Sequence, residues 1–221
     1  GVSNATGIKI HPYRGIKKIL GLTGEDRYIY DWPELGTALP DEAVMERLHT
    51  DVRGILDRFP EEVYKRNKSR PAHSPFIDDW GCGQMEIGPD NWYPGIHPMA
   101  GMKSLDDIDN YLWPDMNDPY RTSHVREEAN KLHQENRFAI MGTPWLMFPF
   151  ERAIGLQGME GFLANMAMEP DFAQALLTKI NQLCMQNMSN FLDQCGEYLD
   201  MIKIGDDLGT QESLLISPRM Y

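Results

Sequence analysis

The residues best placed to do chemistry are carboxylates at the ends of short apolar runs. In "MIKIGDDLGTQESLLISPRMY", from Met201 to Tyr221, the alternation Met201, Ile202, Ile204 runs straight into Asp206 and Asp207. Leaving one carboxylate in hydrocarbon without partners would cost several kcal/mol, on the order expected for an unpaired buried ion. The pair must therefore face a polar cavity or find donors. Adjacent strand residues point to opposite faces, so only one of the two can enter a cavity, where it would accept hydrogen bonds from a substrate or orient a metal-bound group. The alternative is structural: both cap the following helix or bond the backbone amides of "LGTQ". Gln211 can hold a substrate oxygen or simply shape the turn.

The same design recurs twice. "FIDDWG" ends in Asp78 and Asp79, with Trp80 either the wall of an aromatic pocket or a packing residue, and "FAIMGT" ends in Thr143. Glu151 either lines a pocket or begins a helix, where its charge suits the positive end. Among the histidines, His97 lies in an aromatic loop and is a pocket candidate. His124 and His133 fall on a polar helix and are expected to be solvated. The three cysteines, Cys82, Cys184 and Cys195, have no CxxC spacing and read as small apolar packing residues. Fourteen methionines read mainly as fillers of irregular core gaps, although Met-rich walls also suit a methyl or aryl ligand.

These residues need elements to hold them. Pro40 and Asp41 start a helix in "PDEAVMERL", and Ser104 starts another. A polar helix is expected from about Tyr120 to Asn136, with Val125, Ala129 and Leu132 inward. The longest helix runs from Pro170 to about Tyr198, with Phe172, Leu176, Ile180, Leu183, Phe191 and Cys195 as one buried stripe. "TDVRGILDRFP" fits a helix or a short strand, and "IGPDNWYPGIHPMAGM" reads as an ordered loop. Short strands alternating with helices call for parallel β–α units, whose working face is the carboxyl end of the strands.

Composition narrows the class. The net charge of −12, with 21 basic residues scattered, argues against nucleic acid as partner. No apolar run approaches the roughly 20 residues that span a bilayer, and the opening residues lack a signal-peptide pattern. An odd cysteine count without pairing suggests a reducing compartment, so the expected location is the cytoplasm.

The segments "DDWGCG", "LWPDMNDPYR", "FERAIGLQGMEGFLANMAMEPD" and above all "IKIGDDLGTQESLLISPRMY" resemble the uroporphyrinogen decarboxylase superfamily, over nearly the whole chain from about Gly7. Within it they look most like the corrinoid-linked methyltransferases and O-demethylases. The resemblance implies one (β/α)8 TIM barrel domain over residues 1–221. It also implies that the barrel is incomplete here, since such barrels take about 250 residues and the family's first strand and last strands are missing. Of the family's arginine-rich "RQAGRY" segment, the matching stretch "VSNATGIKIHPYR" keeps only the Ala5-x-Gly7 spacing and Arg14. Ser3, Asn4 and Thr6 replace the arginines, and Asn4 becomes a substrate-binding candidate. The family's "FSDI" aspartate has no clear match in "GILDRFP". Loss of the cationic clamp disfavours a polyanionic tetrapyrrole.

The resemblance therefore implies an enzyme that moves a methyl group between a small methylated compound, such as an aryl methyl ether, and a corrinoid carried on a partner protein. Zinc would assist, through a His-x-Cys pair and a further cysteine expected outside this chain. A homodimer is the implied assembly. Two alternatives stay open: a carboxy-lyase acting on a tetrapyrrole or smaller acid, and a barrel that only binds a ligand.

Overall fold

A computed structural model describes residues 7–71, 73–88, 91–145 and 148–220. Asn4 lies outside the described residues. Helix α1 (Ile10–Ile19) buries Ile10 and Tyr13 against Val44 of α2 (Glu42–Arg47). Strand β1 (Val52–Ile55) follows, then α3 (Glu61–Lys68), the ribbon β2 (Gly83–Gly88) and β3 (Asn91–Ile96), and α4 (Leu105–Asn110). Helix α5 (Val125–Glu135), strand β4 (Ala139–Gly142), helices α6 (Pro149–Gln157), α7 (Met159–Met168) and α8 (Pro170–Cys195), and strand β5 (Met201–Ile202) complete the order.

The strands β1, β4 and β5 form one parallel sheet in the order β1–β4–β5, with Val52 opposite Ala139 and Met141 opposite Met201. The alternation decides which residues face inward. Ile55 and Ile140 are buried against Val125 and Ala129 of α5 and Phe191 and Cys195 of α8. A side chain at Gly142 would lie 2.8 Å from Phe191, Leu199 and Ile202, so glycine is what lets α8 and β5 close on this strand. Asp200 fastens the same junction, its carboxylate accepting the Ile140 N–H at 2.8 Å.

The architecture is mixed α/β with a three-stranded parallel sheet; among the described residues the strands do not close into a barrel. Three expectations about single segments are corrected. "FIDDWG" is not a strand of this sheet: Ile77 makes one bridge to Gly83, and the Asp78 carboxylate bends the chain by accepting the N–H groups of Trp80 and Cys82 at 3.0 and 2.8 Å. The aromatic stretch read as a loop supplies β3, paired antiparallel with β2. Its proline and glycine hide the period of two, and an isolated ribbon tolerates Pro94 because few ladder bonds depend on it. His124 is not solvated; it is half-buried with Nε2 2.9 Å from the Leu56 carbonyl, and burial beside Arg58 pushes it down to about 4.

The long helix matches its expected stripe, with Phe172, Leu176, Ile180, Phe191 and Cys195 buried and Leu183 packed on the core edge. Helix α4 begins with a reciprocal cap between Ser104 and Asp107. No helix among the described residues is long and apolar enough to cross a membrane.

Candidate functional site

Beyond the carboxyl end of β1 the chain turns inward at Asp57. This carboxyl is buried, and it accepts the backbone N–H of Trp145 at 2.7 Å and an Asn187 N–H at 2.8 Å. Trp145 itself follows the end of β4. One sheet end thus fixes the other through a single acid. Burial pushes Asp57 up to about 6, against the lowering by those two donors.

Trp145 forms one wall of a cavity of about 180 Å³. Trp32, 6.0 Å from Trp145 between ring centroids, and Phe148 supply further aromatic wall, with Asp78, Glu151 and Arg152 as its charged residues. Trp32 comes from a turn that Pro33 opens and Gly36 closes in a left-handed conformation at φ 66°. Glu151 and Arg152 stand in the first turn and a half of α6. That volume is below the roughly 300–1,000 Å³ of pockets that take drug-sized ligands, and it suits one ring rather than four.

The polar groups of this cavity are unevenly served. Arg152 is 7% exposed and donates through Nη1 to Asp78 at 2.9 Å, while its Nε has no partner among the described residues. The indole N–H groups of Trp32 and Trp145 are also buried and unpartnered. Each such donor costs about 1–3 kcal/mol when left unsatisfied; the three belong to residues that border the cavity, and each N–H is itself closed to solvent. Others, such as Trp80 Nε1, lie away from it. Asp78 is pushed up to about 6 by burial, partly offset by Arg152. His97 donates from Nδ1 to the Gly155 carbonyl at 2.7 Å and borders the same space.

The acidic tip of β5 reaches this cavity indirectly. Asp206 is half-buried and accepts the N–H groups of Phe150 and Glu151 at 2.6 and 2.8 Å, so it caps α6. Asp207 is exposed and makes a backbone contact to Asp206. Glu151 sits on the rim. Burial raises its carboxyl, and the charges of Asp207 and Asp206 raise it further. Lys203 lies across the Phe148 ring at 4.3 Å, its Nζ buried without a hydrogen bond, and burial lowers it.

Of the residues singled out from the sequence, Glu151 and His97 line the cavity, and Asp206 positions the helix that carries Glu151. Trp80 is 1% exposed and does not line the cavity; Arg152 lies over its ring at 5.2 Å. Asp79 is ion-paired with Arg121. Thr143 is buried, its hydroxyl donating to the Ile55 carbonyl at 3.3 Å, and Gln211 is exposed in the last turn. The sequence reading did not single out Trp32, Asp57, Trp145, Arg152 or Lys203. Asp57 carried the available signal: an acid directly after an apolar strand, the same design as Asp78.

The three cysteines are buried thiols, and burial pushes Cys82, which borders the cavity, up to about 12. Among the described residues no three His, Cys, Asp or Glu side chains come together as ligands for a metal ion.

No protein-family model matches the chain. No curated protein matches it either. Among solved structures, a methyltransferase from Methanosarcina mazei is similar, with a TM-score of 0.47 and 15% identity over 94% of this chain. The chain spans 61% of that protein's length.

Proposed function

We propose that this chain forms the substrate pocket of a methyl-transferring enzyme acting on a small methylated aromatic compound, in a barrel of the uroporphyrinogen decarboxylase type. The observation that carries the reading is the cavity of about 180 Å³ between Trp32, Trp145 and Phe148 beyond the carboxyl ends of β1 and β4. Its walls suit one flat ring, and its location suits the working face of parallel β–α units. Resemblance of the "IGDDLGTQ" segment to corrinoid-linked methyltransferases supplies the reaction class.

The chemistry asked of these residues is modest. The ring lies between the aromatic walls, which exclude water and hold the ether carbon toward the opening. As the methyl group leaves for its acceptor, the bonding pair stays on the ether oxygen. Glu151, on the rim, gives that oxygen its proton. Asp206 fixes the first turn of α6 and so the height of Glu151.

The corrinoid-bearing partner, the zinc ligands and a homodimer belong to this proposal as parts supplied from outside these residues. The described side chains do not fit a zinc site: no ligand triad is assembled, and the Cys82 thiol is held protonated.

Incubating the chain with aryl methyl ethers and cob(I)alamin tests the reading. Methylcobalamin should accumulate, and Glu151→Gln should slow it about 100-fold, the lower range for loss of a general acid. Failure of every methyl donor would remove the reaction. A carboxy-lyase acting on a small acid is the second reading, favoured by the unpartnered Arg152 Nε; release of carbon dioxide without methyl transfer would select it. The cavity volume disfavours a tetrapyrrole for that enzyme.

A further inference from the structure

Residues 29–36 form a short loop whose ends are held together by the Tyr28–Ala38 bridge and by the Ile29 N–H, which donates to the Thr37 carbonyl at 3.1 Å. Inside it two successive residues other than glycine, Tyr30 and Asp31, are left-handed at φ 59° and 50°. Such a backbone is unfavourable for residues with side chains and persists only where the surroundings impose it. Here the next residue imposes it. Trp32 is 4% exposed, stacked on Phe76 at 4.4 Å between ring centroids and edge-on to Phe59 at 5.8 Å. The Tyr30 hydroxyl adds a hydrogen bond to the Thr143 carbonyl at 3.2 Å. The seated indole carries a second penalty, because its N–H is buried without a partner among the described residues. Packing therefore holds Trp32 in place against two opposing effects, and both are relieved when the ring leaves.

The loop lies where such a movement matters. Trp32 and Leu35 border the cavity of about 180 Å³, whereas Glu34 and Gly36 border the neighbouring one of about 500 Å³. The β2–β3 ribbon runs along both, with Gln84 beside the smaller and Glu86 beside the larger. We propose that residues 30–36 are a gate: the strained pair Tyr30–Asp31 and the left-handed Gly36 are its hinges, and outward rotation of Trp32 joins the two cavities. The smaller cavity then has an entrance from the larger one. The Glu34–Arg70 ion pair and the Lys9 bond to the Leu35 carbonyl at 2.6 Å hold the turn when it is closed. The gate is a property of the loop and holds whatever ligand fills the smaller cavity.

Asp31 is exposed, so substitution there changes backbone preference and little packing. With fluorinated tryptophan incorporated, the five indoles report by fluorine NMR, and Trp32→Phe identifies the Trp32 signal. Relaxation dispersion of that signal reads the population of the open state. Asp31→Gly accepts a positive φ freely, and should lower the open population about five-fold. Asp31→Val resists it, and should raise that population by about the same factor. Glu34→Gln, which weakens the hold of Arg70, is the opening variant should Asp31→Val fail to fold. A Trp32 signal without exchange in every chain, or an equal open population in the closing and opening variants, overturns the gate. No methyl donor enters this measurement, so the two proposals fail separately. A rigid Trp32 leaves the reaction standing, and absence of methyl transfer leaves the gate standing.

Discussion

Two cavities flank the Pro33–Leu35 turn, and Leu35 lines both. The smaller is walled by Trp32 and Trp145, whose indole N–H groups are buried without partners among the described residues. The larger, of about 500 Å³, is lined by charged groups that already have partners: Lys9 donates to the Leu35 carbonyl at 2.6 Å, Arg14 pairs with Asp26 at 2.6 Å, and His73 meets Glu86 at 2.7 Å. Its exception is Glu34, buried and paired with Arg70, whose second oxygen has no partner. A polar group at an open surface can be served by water, whereas a buried N–H closed to solvent cannot.

The contrast can be tested by breaking an ion pair at each cavity. Arg152→Met leaves Asp78 as a buried charge without its counter-ion, and should cost about 3–5 kcal/mol in denaturant unfolding. Arg14→Ala removes an ion pair whose arginine side chain is 49% exposed, and should cost at most about 1 kcal/mol. Comparable losses would mean that the two cavities are not differently buried.

A second test concerns pH. Burial raises Asp57 to about 6, so between about pH 4 and 6 the folded chain holds a proton that the unfolded chain has released. Its contribution to stability is full below pH 4, falls as pH rises through that window, and is lost above it. The drop is on the order of 2–3 kcal/mol for a shift of this size. Asp57→Asn should flatten this part of the profile, since the neutral amide still offers an oxygen to Trp145 N–H. Asn187, whose Oδ1 has no partner now, can turn its amide to accept from the new group. Chemical denaturation from pH 4 to 8 reads both chains, and an unchanged slope in the variant would contradict the assignment.

The smallest expected effect sharpens the role of β5. Asp206→Ala removes two hydrogen bonds at the start of α6 and should cost about 1 kcal/mol of thermal stability. If Asp206 acts by holding that helix, methyl transfer should fall only two- to three-fold. A loss of methyl transfer as large as that of Glu151→Gln would instead make Asp206 a participant in the chemistry.

What the sequence made legible follows from distance along the chain. The stripe on α8, the Ser104 cap and the strand at Ala139 are local patterns, and periodicity or capping chemistry reveals them. The site is built from remote pairs. Arg152 meets Asp78 across 74 residues, Asn187 meets Asp57 across 130, and His124 meets the Leu56 carbonyl across 68. No period reports such pairings, so Arg152 passed as one more helix residue and His124 as a solvated one. Asp206 was legible as a special acid because it ends an apolar run. Its partners, the amides at the start of an earlier helix, were not.

That cap has a consequence in time. The amides of Phe150 and Glu151 are bound by a residue made more than fifty positions later, and everything between, α7 and the long α8 included, must be synthesised first. During translation at about 5–20 residues per second, the start of α6 stays unanchored for several seconds. The start of α6 is therefore completed late in the nascent chain, when the segment after β5 docks.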